Sequence, residues 1–104
     1  MPSLFQAQLN NATWPELADL MYKRVNEMCD SDRMTACAAR EALYRDCIIQ
    51  KQDGSGRRDM KGQSVSNLLR KLAGHDSGSR ASIDTMRDFA DFTRRKLKEL
   101  AGLE

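Results

Sequence analysis

TWPELADLMYKRVNEMC, residues 13–29, carries a full set of signals for an amphipathic helix. Thr13 followed three residues later by Glu16 is the pattern of a capping box, and Pro15 lies in the first turn, where its missing N–H is not needed. Apolar side chains then recur at the three- and four-residue spacing of one helix face, which favours an all-α fold. This apolar stripe consists of Trp14, Leu17, Leu20, Met21, Val25 and Met28.

Three further segments show helical spacing. Residues 33–50 are rich in alanine, and such small side chains let a neighbouring helix approach closely, so we expect the central helix here. Residues 64–73 begin with Ser64 as a candidate cap and are followed by Gly74, a residue suited to a left-handed helix stop. The sequence therefore predicts an all-α single small bundle of about four helices, at about 13–29, 33–50, 64–73 and 82–101.

Length and composition fit one soluble domain over residues 1–102. Hydrophobic residues make up 40% and charged residues 31% of the 104 residues, which is ordinary for a globular protein with one modest core. Residues 103–104 are the Leu-Glu pair that a common expression-vector junction leaves, so we exclude them from functional reasoning. No apolar run approaches the ~18 residues of a membrane span, and the N-terminal stretch lacks the regions of a signal peptide.

The cysteines do not form a recognisable site pattern. Cys29, Cys37 and Cys47 fit neither the spacing of a disulfide framework nor that of a zinc site, and His75 is the chain's single histidine. We expect two or three of the cysteines to be small buried residues in a reducing cytoplasm, with no metal and no other cofactor. His75 stands beside an aspartate and a serine, but neighbours in sequence rarely adopt triad geometry, so we expect no catalytic residues and no enzyme activity.

Charge is distributed unevenly along the chain. Residues 1–50 carry five Lys/Arg and seven Asp/Glu, a net charge of −2, whereas residues 51–104 carry twelve and eight, a net charge of +4. A cationic face can neutralise nucleic-acid phosphates, although it can also be a merely solvated surface. The net charge of the whole chain, +2, is low for a dedicated nucleic-acid binder. The candidate residues for contact with nucleic acid or an acidic partner are Arg57, Arg58, Lys61, Ser66, Asn67, Arg70, Lys71, Arg94, Arg95 and Lys98.

The stretch GQSVSNLLRKLAG, residues 62–74, has the composition of the second helix of a helix-turn-helix, with small polar and amide side chains beside cations. That motif joins its two helices by a turn of three or four residues. Here residues 51–63 separate the predicted helices, and they include a polar, glycine-containing stretch. The spacing therefore favours a short amphipathic helix that closes the bundle over a standard helix-turn-helix.

Two classes of function remain open. One is a small non-enzymatic regulatory protein that binds nucleic acid through its basic C-terminal half, with Ser66, Asn67 and Arg70 reaching bases. The other is a protein-binding adaptor or inhibitor, of the bacterial or phage type, that acts through a helical surface. The broad apolar stripe of residues 13–29 also favours a homodimer, because small helical domains often complete their cores by pairing.

Overall fold

The computed structural model describes residues 4–50, 57–58, 61–76 and 79–102. The prediction of an all-α fold is confirmed: within these residues the helices pack around one shared apolar core, and a two-residue antiparallel ladder lies between the third and fourth helices. None of the described helices is both long enough and apolar enough to cross a lipid bilayer. The elements are α1 (Leu4–Asn11), α2 (Trp14–Ser31), α3 (Ala36–Leu43), β1 (Ile49–Gln50), β2 (Arg57–Arg58), α4 (Gly62–Leu72) and α5 (Ile83–Leu100).

Side-chain caps begin the two longest helices, and the one at α2 is the capping box that the sequence predicts. Thr13 Oγ1 accepts a hydrogen bond from the Glu16 N–H (3.3 Å), and Glu16 Oε1 accepts one from the Thr13 N–H (3.2 Å), so both halves of the capping box are formed at α2. At α5, Ser82 Oγ accepts from the Thr85 N–H at 3.2 Å. These bonds satisfy amide groups that have no partner within the first turn of a helix.

The alanine-rich helix is shorter than the sequence predicts, and the prediction of one helix over residues 33–50 is wrong. Arg33 has a left-handed φ of 53°, and the side chain of Thr35 caps α3. At the other end the chain leaves the helix at Tyr44, whose ring is fully buried and stacks on Phe89 of α5 at a centroid distance of 4.8 Å. Burial of a large apolar side chain stabilises a fold by about 1.5–3 kcal/mol, so Tyr44 anchors the end of α3 to α5.

The buried hydroxyl of Tyr44 is satisfied on α5. Thr93 Oγ1 donates to the Phe89 carbonyl oxygen (2.8 Å), so its lone pairs remain for the Tyr44 hydroxyl, which donates to Thr93 Oγ1 at 2.6 Å. Burial raises the pKa of Tyr44 far above its ordinary value, with the hydrogen bond to Thr93 acting in the opposite direction. This pair ties the end of α3 to the middle of α5.

The sequence pattern does not predict α1, which the structure shows over residues 4–11. Leu9 is fully buried, but this short helix has too few apolar residues to give a clear helical period. Its position depends on α5, against which it packs. A contact with a helix more than eighty residues later in the chain is not readable from local spacing.

The start of α4 also differs from the prediction. The helix begins at Gly62 rather than at Ser64, and its first N–H donates to Glu41 Oε1 of α3 at 2.9 Å. A side chain from another helix therefore replaces the predicted local cap. At the far end, Gly74 has a φ of 91°, which agrees with the predicted left-handed stop. The buried face of α4 consists of Gly62, Val65, Leu68, Leu69 and Leu72.

The three free cysteines lie in different environments. Cys47 is buried, Cys29 is half-buried and Cys37 is exposed, so the expectation that two or three of them are buried is wrong. Among the residues that the structure describes, no group of three or more His, Cys, Asp or Glu side chains is arranged to hold a metal ion.

Candidate nucleic-acid interface

Arg94, one of the candidate cations, binds α1. Its Nε donates to the Leu9 carbonyl oxygen (2.9 Å), its Nη2 donates to that of Ala12 (3.2 Å), and its Nη1 lies 3.3 Å from an Asp91 carboxylate oxygen. Because the last carbonyl groups of a helix lack intrahelical partners and carry partial negative charge, an arginine is well suited to this position. The side chain is 24% exposed, so this guanidinium clamps α1 onto α5 and is not free to contact a ligand.

Lys98 and Lys71 also form bonds within the chain. Lys98 Nζ donates to Asn10 Oδ1 of α1. Lys71 Nζ donates to the carbonyl oxygens of Ala81 (2.6 Å) and Ser79 (3.4 Å), which precede α5. Both lysines are half-buried. The cationic surface of the C-terminal half is therefore smaller than the number of its basic residues indicates.

The remaining cations of the C-terminal half are not gathered on one helix. Arg95 is exposed on α5, with its Cζ 5.8 Å from the centroid of the Phe92 ring. Arg57 and Arg58 form β2, whose backbone pairs with β1, and their side chains lie outside the part of the chain that is described. Lys61 is exposed directly before the first turn of α4.

The outer face of α4 brings the polar candidates together. Gln63, Ser66, Asn67 and Arg70 follow the i, i+3, i+4, i+7 spacing that places them on one stripe of the helix, opposite its buried face. We call these four residues the α4 stripe. Arg70 and Gln63 are exposed, and Gln63 Nε2 donates to Asn67 Oδ1 at 3.3 Å. Ser66 and Asn67 are half-buried, so the exposed groups of the stripe are the Gln63 amide and the Arg70 guanidinium, with Ser66 and Asn67 between them.

Tyr22 of α2 and Arg40 of α3 flank the α4 stripe, and the sequence prediction missed both. Burial raises the pKa of the Tyr22 phenol, while the positive charges of Arg70 and Arg40 act to lower it. Arg40 Nε also donates to the Gly62 carbonyl oxygen at 3.2 Å, which fixes Arg40 at the start of α4. No local pattern links these residues, because they lie on three different helices. We call the α4 stripe together with Lys61, Tyr22 and Arg40 the α4 surface.

The connections around α4 do not match a standard helix-turn-helix. Residues 44–61 separate α3 from α4, and residues 73–82 separate α4 from α5, whereas the motif uses three or four residues. The structure agrees with the sequence interpretation on this point. The α4 surface is instead held rigidly by α3, through the paired bonds of Arg40 and Glu41 with the Gly62 backbone.

A second feature is a cleft of about 790 Å³ between α5 and the segment that follows α3, which we call the α5 cleft. Ile48 is 57% exposed there. Carboxylates and guanidinium groups surround this apolar side chain, a mixture that does not select for phosphate. The cleft is lined by Asp46, Cys47, Ile48, Asp88, Asp91, Phe92, Arg94 and Arg95.

We expect the protein to lose stability at alkaline pH because of Cys47, which lines the α5 cleft. Burial raises the pKa of the Cys47 thiol to about 11, with Arg95 lowering it and Asp88 raising it further. Above the ordinary thiol pKa the unfolded chain loses this proton and the folded chain keeps it, so the free energy of unfolding decreases from roughly pH 9 to roughly pH 11. Urea unfolding of the wild type and of Cys47→Ala across this range measures the effect. A decrease of the same size in both proteins would contradict the assignment to Cys47.

No protein-family model, curated protein or solved structure matches this chain. The functional candidates are therefore the surfaces that the described residues form, chiefly the α4 surface and the α5 cleft.

Proposed function

We propose that the protein is a small regulatory protein that binds duplex DNA through the α4 surface. One observation carries the proposal: the α4 stripe places two amides beside an exposed arginine, and Arg40 of α3 and Lys61 lie at the start of the same helix. The major groove of B-DNA admits an α-helix, and amide and guanidinium side chains are the groups that bond adenine and guanine edges there.

The residues of the α4 surface divide between two kinds of contact. Asn67 and Arg70, on the outward stripe, are positioned to reach base edges. Lys61, Arg40 and the Tyr22 hydroxyl flank the stripe and are suited to phosphate oxygens, because they offer N–H and O–H donors at its margins. Phosphate contacts position the helix on the duplex, and base contacts supply sequence discrimination.

The number of available cations sets the expected salt dependence. Lys61 and Arg70 are the exposed cations of the α4 surface, and Arg40 is half-buried with its Nε bonded to the Gly62 carbonyl oxygen, which leaves only its Nη groups. Arg94 is bound to α1 through Nε and Nη2. Each neutralised phosphate contributes about −0.9 to the slope of log affinity against log salt, so we expect a slope of roughly −2 to −3. This shallow slope agrees with a net charge of only +2.

The test is fluorescence anisotropy on a duplex selected from a random-sequence pool, at several salt concentrations. Lys61→Ala is expected to weaken binding to all duplexes alike and to reduce the salt slope by about 1. Asn67→Ala is expected to leave the slope unchanged and to reduce discrimination between selected and random duplexes by roughly 1–3 kcal/mol.

Arg87→Ala is the matched control for the loss of a positive charge. Arg87 is exposed on α5, and its Nη1 lies 3.4 Å from an Asp84 carboxylate oxygen. It therefore belongs to a different helix from the α4 stripe. This variant should bind like the wild type. Absence of duplex binding at low salt would overturn the proposed function, and equal losses in Arg87→Ala and Lys61→Ala would overturn the assignment to the α4 surface.

A second candidate, a protein-binding adaptor or inhibitor, is favoured by the α5 cleft. The cleft brings Ile48, which is 57% exposed, together with the half-buried Phe92 ring inside a rim of both signs of charge, and a polar-rimmed apolar surface of this kind suits contact with a protein. The anisotropy experiment separates the two candidate functions, because a protein-binding adaptor or inhibitor needs no affinity for nucleic acid.

A further inference from the structure

On another side of the molecule, α1, α2 and α5 form an apolar groove of about 270 Å³. Leu20 of α2 and Leu97 of α5 lie along it, and Phe5 and Leu100 stand at its edges with 36% and 41% of their surface exposed. Single exposed apolar residues are common, but two large ones that share one groove form a contiguous patch. Such patches, when polar residues surround them, mark interaction surfaces.

The polar rim of this groove has a specific charge order along α2. Lys23, Arg24 and Glu27 line it, and Arg24 Nη1 lies 3.2 Å from Glu27 Oε2. Glu27 remains 63% exposed in spite of this ion pair, so its carboxylate is open to a further cation. A lysine thus precedes an exposed glutamate by one helical turn on the same rim.

We infer that the groove is the contact surface of a homodimer, in which α2 packs antiparallel against α2 of a second copy. In a twofold contact, residue i of one copy meets residue j of the other and the reverse pair also forms. With the axis at the level of Val25, Lys23 lies opposite Glu27 of the partner subunit, and this pair occurs twice. Lys23 and Glu27 are therefore complementary to their own reversed copies, while Arg24, which lies beside the axis, keeps its ion pair with Glu27 of its own chain. This pairing is why the occupant is a second copy and not a helix of uniform charge.

The apolar groove supplies the driving force of this contact. Pairing covers Phe5, Leu20 and Leu100, and the removal of their apolar surface from water favours association. A chain of 104 residues leaves a larger fraction of its apolar surface uncovered than a larger domain does. The charge pairs then fix the direction and register of the two α2 helices.

Dimerisation through this groove leaves the α4 surface uncovered. Leu20 and Tyr22 are two positions apart on α2, which places them about 200° apart around the helix axis. The groove and the flank of the α4 surface therefore lie on opposite sides of α2. The dimer presents two α4 surfaces, but its formation requires no nucleic acid and does not depend on the proposed function.

Sedimentation equilibrium of the chain without nucleic acid, from low to high micromolar concentration, tests the inference. The wild type is expected to dimerise in this range. Lys23→Glu and Glu27→Lys each place like charges opposite one another twice per dimer, and each is expected to raise the dimer dissociation constant at least roughly tenfold. The double variant Lys23→Glu/Glu27→Lys restores opposite charges and is expected to return within about threefold of the wild type.

Arg80→Glu is the control for charge reversal, since Arg80 is exposed before α5 and does not line the groove. Circular dichroism of each variant checks that it is folded, which is expected because the exchanged side chains lie on the surface. A wild type that sediments only as an 11.8 kDa monomer would overturn the inference. A dimer that responds equally to Arg80→Glu and Lys23→Glu, or that the double variant fails to restore, would overturn it as well.

Discussion

Leu69→Ala is expected to lower the free energy of unfolding by about 2–5 kcal/mol, because it removes a side chain from the centre of the core. Leu69 has no exposed surface, and it belongs to the same cluster of buried residues as Phe89 of α5 and Leu17 of α2. Truncation loses the transfer free energy of the removed atoms and leaves a cavity that surrounding helices fill only in part. Chemical denaturation measures the loss directly.

Ile83→Ala is the matched control for Leu69→Ala. Ile83 begins α5 and is 58% exposed, so removal of the same number of carbon atoms creates no internal cavity. We expect its effect to stay within about 0.5 kcal/mol. Equal denaturation midpoints for Leu69→Ala and the wild type would contradict the buried position of this face of α4.

The parts of the fold that the sequence predicts are those that local bonds determine. The capping box at Thr13 involves residues within one helical turn, and it is formed as predicted. The start of α5 at Ile83 agrees with the helix predicted over about 82–101. The apolar stripe predicted over residues 13–29 also faces the core. Leu17, Met21 and Val25 are buried, and Trp14, Leu20 and Met28 pack against the core while partly buried.

The parts that the sequence does not predict depend on contacts between distant residues. The helix predicted over 33–50 ends at Leu43, directly before Tyr44 stacks on Phe89 of α5, and α4 begins at Gly62, whose N–H is bonded by Glu41 of α3. α1 is held by Arg94, whose partners lie more than eighty residues away in sequence. Propensity and periodicity describe only near neighbours, so these outcomes are decided by packing.

The candidate site shows the same division. Helical spacing alone places Asn67 and Arg70 on one stripe of α4. It cannot show that Tyr22 and Arg40 join them from two other helices. Nor can it separate Arg70, which is exposed, from Arg94, which clamps α1, because a basic residue has the same appearance in sequence whether its charge is free or bonded.

Gly62→Ala is expected to lower the free energy of unfolding by about 1–3 kcal/mol, although alanine is by itself the better helix former by about 1 kcal/mol. The higher helix propensity of alanine and the steric overlap of its Cβ atom oppose each other. The distances at the α3–α4 contact decide whether the free energy of unfolding rises or falls. A Cβ atom at Gly62 would overlap the Cys37 side chain and would lie 2.8 Å from the Cys37 carbonyl oxygen and 3.1 Å from its Cα. The side chain can rotate away, but the carbonyl group can move only if α3 moves.

α3 has little freedom to make that movement. Arg40 and Glu41 bond the Gly62 carbonyl and N–H groups, so a displacement that relieves the contact with Cys37 also stretches these two bonds. The double variant Cys37→Ala/Gly62→Ala removes the sulfur and leaves the carbonyl, and we expect it to recover only part of the loss that Gly62→Ala causes. Chemical denaturation of the two single variants and the double variant gives this coupling. A stabilising effect of Gly62→Ala would show that helix propensity dominates and that α3 and α4 are further apart than these contacts require.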